Sequence, residues 1–141
     1  MNRKQAVKSI RFMAMFAMLP AMMACSQAEH GPHVEFIQPQ DGMDVGPNVK
    51  VVMDVHGMKV HKAGELIEGT GHHHLIIDGS FVPKGEVVGK DATHKHFGKA
   101  QTEAMIELTP GEHTLTLQFA DGHHQSYGRN LSETIHVHVK Q

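Results

Sequence analysis

Past residue 33 the chain runs in a two-residue period broken by Asp-Gly and Pro-Gly pairs, a pattern that admits strands and little else. Val49, Val51, Met53 and Val55 alternate with Lys50, Asp54 and His56, so a pleated segment there has one apolar and one polar face. Thr102, Ala104, Ile106 and Leu108 oppose Glu103 and Glu107 in the same way. His113, Leu115, Leu117 and Phe119 alternate with Thr114, Thr116 and Gln118, and Ile135, Val137 and Val139 with His136 and His138. Asp41-Gly42, Asp78-Gly79, Pro110-Gly111 and Asp121-Gly122 supply the residues that tight reversals need. Val34 to Ile37, His72 to Asp78 and a weak strand around Glu86 to Val88 bring the count to about seven. No segment carries a helical stripe. The expectation is an all-β domain, an immunoglobulin-like antiparallel β-sandwich of about seven strands.

The first 24 residues read differently. Arg3, Lys4, Lys8 and Arg11 form a basic start, and thirteen mostly apolar residues from Phe12 to Ala24 follow. That is the layout of an export signal and too short to span a bilayer comfortably. Cys25 is the sole cysteine. It follows Met22-Met23-Ala24, which resembles the lipobox of bacterial lipoproteins, and the resemblance implies lipidation of Cys25 and a membrane anchor. Ser26 after it implies sorting to the outer membrane. The alternative is a cut after Ala28, within Ser26-Gln27-Ala28, which releases a soluble protein. The domains expected are a signal at 1–24, a tether at 25–33 and one histidine-rich β-domain at 34–141, placed in the bacterial envelope and facing the periplasm.

Beyond the signal, nine basic residues stand against fifteen acidic ones, a formal net of −6 with neutral histidines. Nucleic acid is therefore not an expected partner. With Cys25 lipidated or removed, thiolate ligands, disulfides and thiol nucleophiles are excluded as well.

Fourteen histidines remain to be explained. Imidazole is the commonest protein ligand for zinc, copper and nickel, and two rings two positions apart on a strand share a face. In Gly71-His72-His73-His74-Leu75-Ile76-Ile77-Asp78, alternation puts His72, His74 and Ile76 on one face and His73, Leu75 and Ile77 on the other. His72 and His74 then form a two-toothed chelate while His73 heads a core-facing row. His94 and His96, in a loop or short edge, offer a second pair, and two pairs complete four-coordination. The expected metal ligands are His72, His74, His94 and His96, with His73 and His113 as inner alternatives and copper or zinc as the ion.

Each of these histidines also has a plainer reading. A polar strand end, a surface loop or a satisfied structural ring accounts for any one of them, and His113 in particular reads as structural. His123 and His124 follow a turn at the strand end away from His113. His136 and His138 face solvent, and His30 and His33 belong to the tether. His56 and His61 flank the Gly57 loop, where Met58 offers a thioether suited to cuprous copper. Asp78, Asp91 and Asp121 are candidates to orient a ligand ring. No HExxH, phosphate loop or GxSxG elbow is present.

Four ordered motifs carry a resemblance: TGHHHLIID (Thr70 to Asp78), HKHFGKAQTE (His94 to Glu103), PGEHTLTLQFAD (Pro110 to Asp121) and the closing SETIHVHV. Together the stretch from Val34 to Val139 resembles the bacterial domain of unknown function 4399. The resemblance implies a short exported all-β domain and makes His73, His74, His96, Gln101, Thr102, Glu103 and His113 the matching positions. Lys99-Ala100 stands where a second glycine is often found.

The function expected is an envelope-anchored, non-enzymatic protein that buffers, sequesters or hands on copper or zinc, its affinity falling below about pH 6.5 as the rings protonate. Two other classes compete. One is a structural or adhesive sandwich with pH-responsive histidines and a protein partner, and the other is a small copper or zinc enzyme with an open coordination position.

Overall fold

The computed structural model describes residues 31–141; the signal segment, Cys25 and His30 lie outside them. Among the described residues the strands are β1 (His33–Gln38), β2 (Met43–Val45), β3 (Asn48–His56), β4 (Lys59–Val60), β5 (Thr70–Ile77), β6 (His94–His96), β7 (Glu103–Glu107), β8 (Gly111–Ala120) and β9 (Ser132–Val139), with one 3₁₀ turn at Arg129–Leu131. They form a small sheet ordered β1-β3-β7 and a larger one ordered β2-β9-β8-β5-β4, with β6 also paired to β5.

The chain is all-β, and its two sheets stack like a sandwich. Val34, Phe36, Val49, Val51, Met53 and Ile106 of the small sheet meet Leu75, Leu115, Leu117, Phe119, Ile135, Val137 and Val139 of the large one. Each such side chain is worth roughly 1.5–3 kcal/mol when fully buried, so this shared face stabilises the whole pairing. The alternation in β3, β8 and β9 lies as the sequence predicts.

Three details differ from the expectation. The strands exceed seven because β2, β4 and β6 are short pieces, three, two and three residues long, too brief to leave a periodic trace. Two of them pair in parallel, β2 with β9 and β4 with β5, so the larger sheet is not purely antiparallel. The segment Glu86 to Val88 makes only one bridge, Val87 to Gln125, with Val88 buried and Val87 65% exposed; one anchored side chain does not sustain a strand.

The outer face of the large sheet is also covered, by loops rather than by a third layer of regular structure. Seven of the eight residues of β5 are buried. Gln118 fastens part of this cover: its Nε2 donates to the carbonyls of Phe119, Gly128 and Leu131 at 3.2 Å each, and its Oε1 accepts the Val82 N–H at 3.0 Å. Thr116 Oγ1 donates to the Gly79 carbonyl at 2.8 Å, and Ser126 Oγ to that of Val82 at 2.7 Å. On the other side the backbone N–H groups of His61, Ala63 and Gly64 donate to the carbonyls of Gly71, Gly98 and Gly122. Buried polar groups need such partners, and here they create a second enclosed region outside the hydrophobic core.

Candidate metal centre

Strand pairing brings the histidines together in that region. Alternation along β5 turns His72 and His74 to the loop-covered face, as the sequence predicts. Antiparallel pairing sets His96 of β6 opposite His74. On the other flank Ala120, the last residue of β8, lies opposite His72, and the chain then folds back through Asp121 to His124. Asp121 Oδ1 accepts the N–H groups of His123 and Gln125 at 2.8 and 2.9 Å, and His124 takes the left-handed φ of 67°. Histidine is among the residues enriched there, and such conformations gather at functional loops.

The result is a group of four imidazoles. His72 Nε2 and His74 Nε2 are 2.9 Å apart, and His96 Nε2 and His124 Nε2 3.1 Å. Ring centroids are separated by 4.8 Å (His72–His74), 5.0 Å (His72–His96), 5.1 Å (His72–His124), 5.0 Å (His74–His96), 4.8 Å (His96–His124) and 5.9 Å (His74–His124). A square would show two long diagonals, one from each opposite pair. A single long separation among six describes a slightly stretched tetrahedron. His72, His74 and His96 each offer a ring nitrogen within 4.8 Å of the others, and this group can hold a metal ion.

Its electrostatics disfavour the charged form of the His72, His74 and His96 rings. Burial, reinforced by repulsion from His96 and His124, pushes the His72 pKa down to about 4. Burial and the surrounding rings push His74 down to about 2, and burial followed by His124 also lowers His96. Neutral rings have lone pairs to give. Between two neutral rings in Nε2···Nε2 contact, one donates its N–H and the other accepts it. The Nδ1 atoms of His72 and His74 are buried without a partner among the described residues, at a cost of roughly 1–3 kcal/mol each. A cation drawing on the Nε2 lone pairs offsets that cost.

The other histidines named from sequence go elsewhere. His73 faces the core, edge-on to Phe119 with centroids 5.0 Å apart, and neither ring nitrogen has a partner among the described residues. His94 stands outside the group of four, with Nδ1 on Asp91 at 3.0 Å. His113 donates from Nδ1 to Asp78 and from Nε2 to the Thr109 carbonyl, both at 2.8 Å, the pattern of a charged structural ring. Burial draws its pKa down, but these two partners outweigh burial and raise it. His56, His136 and His138 pair with Glu35, Asp41 and Glu112 on the surface. His61 bonds the Lys62 carbonyl, and Met58 packs against the core. Glu35, Asp54 and His56 also lie close enough for an ion, but are solvated.

Sequence reasoning missed His124, although a signal existed. The turn after β8 sits at the end of that strand away from His113, and the antiparallel pairing of β5 with β8 begins there, at His72. Pairing the two strands on paper would have placed the loop over the chelate. Of the three candidate orienting acids, Asp78 holds His113, Asp91 holds His94, and Asp121 shapes the loop that delivers His124.

Gly98 gives the site a sensitive neighbour. A Cβ built on it would fall on Cε1 and Nε2 of the His96 ring, so Gly98→Ala must turn that ring aside. The expected result is a folded variant whose metal affinity drops by about 10–100-fold, measured by competition with a chromophoric chelator; unchanged affinity would place His96 outside the centre. Ala100, by contrast, holds φ 62°, a conformation that a glycine adopts without strain.

No curated protein matches the chain. Among solved structures it is similar to the X-ray structure of the endo-beta-1,4-mannanase from Thermotoga petrophila, with 14% identity and a TM-score of 0.48 over 78% of this chain and 20% of that one. The chain thus spans about a fifth of that protein's length. The family described as Domain of unknown function (DUF4399) matches residues 51–140, a stretch that contains all four clustered rings, and the chain belongs to that family.

Proposed function

We propose that this chain is a bacterial envelope protein, anchored through a lipid on Cys25, that binds zinc or copper at His72, His74, His96 and His124 and buffers, sequesters or hands on the ion. The observation that carries this reading is the convergence of four imidazoles from three separate segments. Rings that merely decorate a surface have no reason to meet in a buried, partner-poor space.

The arrangement also bears on which ion fits. A near-tetrahedral, all-nitrogen set suits ions with a filled d shell, zinc(II) and copper(I), better than copper(II), which prefers a planar set. Four protein ligands leave no vacant position for substrate, which favours holding an ion over catalysis. His96 and His124 are only half-buried, so the ion remains exchangeable.

Metal analysis and titration of the tag-free protein test the proposal. One ion per chain is expected, with dissociation well below micromolar for zinc(II) and copper(I) at about pH 7.5. Absence of binding by either ion at micromolar concentration overturns it.

A further inference from the structure

His94 lies outside the four rings yet is prepared as a ligand. It sits opposite Ile76 and two residues before His96, so it shares the face of β5 and β6 that carries His74 and His96. It is close enough for a charge on it to act on His74. Asp91 stands 3.0 and 3.1 Å from its Nδ1. The same carboxylate accepts the N–H groups of Thr93 and His94 and the Thr93 hydroxyl. An ionised acceptor at Nδ1 keeps the ring proton there and leaves the lone pair on Nε2, for which no hydrogen bond is formed among the described residues. That carboxylate–imidazole relation fixes the tautomer and ring orientation of metal-binding histidines, and His72 and His74, with orphaned Nδ1 atoms, lack it.

Its position gives that preparation a use. His94 and His96 both line an open cleft of about 570 Å³ between β6 and β7, with Asp91 and Met105 also in the wall. The two cleft rings are reachable from solvent and the other two are not: His94, its side chain 29% exposed, and His96 are half-buried, whereas His74 and His72 are fully buried. A cation arriving from solvent meets the oriented ring before the closed set.

We propose that His94, oriented by Asp91, is a transfer site at which zinc(II) or copper(I) binds first, from the cleft, before passing to His96 and the buried rings. The inference rests on the metal-binding reading above. Transfer is ligand exchange: each nitrogen gained replaces a water or the previous nitrogen, and no electron moves.

A transfer site speeds passage in both directions and leaves the end states alone. Stopped-flow mixing of the tag-free protein with zinc(II), and of the loaded protein with excess chelator, reads both directions. His94→Asn is expected to slow uptake and release alike by about tenfold or more while keeping one ion per chain and a dissociation constant within about threefold. Asp91→Asn, which keeps the ring but frees its orientation, should slow both by a smaller factor, and melting curves without metal check that both variants fold. Unchanged rates in His94→Asn overturn the transfer site. Loss of the ion, or weaker affinity with unchanged uptake, also overturns it, by making His94 a ligand of the resting centre. Failure of the unsubstituted protein to bind zinc would instead overturn the function proposed for the four-ring centre.

Discussion

Zinc is expected to stabilise this protein, and replacing His74 with asparagine is expected to abolish that gain. An ion at about 100 times its dissociation constant adds about 2.7 kcal/mol to a folded state that alone binds it. For a domain of roughly 100 residues that raises the melting midpoint by about 10–20 °C. His74 is fully buried, its Nε2 faces that of His72 at 2.9 Å, and its ring lies 5.0 Å from that of His96. His72→Asn should behave alike, whereas His136→Asn and His138→Asn, both exposed and paired with surface carboxylates, should retain the full rise. Differential scanning calorimetry with and without zinc decides the matter, and an undiminished rise in His74→Asn would remove the buried rings from the centre.

The second large effect concerns acid and the metal-free protein. His72 and His73 take up their protons near pH 4 in the folded chain and near about 6.5 once unfolded. Between those values the unfolded chain binds more protons, so each step down in pH favours it. Stability is therefore full above about pH 6.5 and declines toward about pH 4, where the loss from these two rings levels off. For His73, whose shift comes from burial, the loss amounts to about 3 kcal/mol. His113 and His56 act oppositely: their raised values give stability that is present in acid and lost as pH rises through their folded pKa. Both are more exposed, and the buried rings dominate. His73→Leu, which puts an apolar side chain of similar size beside Phe119, should flatten the profile and leave the metal-free chain more stable in acid. Urea unfolding across pH 4.5 to 7 reads this directly; a flat wild-type profile sinks it. The lowered values of His72 and His74 also move the pH at which protons would compete with an ion there below the range of an ordinary histidine, and His96 is shifted in the same direction.

Much of the sandwich was legible because alternation survives wherever one face of a strand meets the core. Val49, Val51 and Met53 in β3 show it, as do the leucines of β8. The same parity separated His72 and His74 from His73. What remained illegible depends on loops. Gln118 stands in a row that reads as solvent-facing, yet it is fully buried because its amide and carbonyl tie down segments ten and more residues away. Nothing local marks that use of a glutamine. His94 and His96 look equivalent on a strand of three residues, and only Asp91 on one side and His124 on the other tell them apart. His124 needed the pairing of β5 with β8, information held in neither strand alone.

β6 is so short that its own hydrogen bonds cannot decide its alignment. Its register is set instead by two neighbours with opposite destinations, His96 among the rings and Phe97 in the core. A slip of one residue exchanges the two faces, sending the aromatic ring into the polar chamber and the imidazole into the apolar interior. An ion bound among the rings would therefore act as a proofreader of strand threading, stabilising only copies in which β6 has been laid down correctly. Metal supply would then influence how uniform the folded population is as well as how stable each copy is, a difference that hydrogen exchange at the β6 amides, with and without zinc, would register.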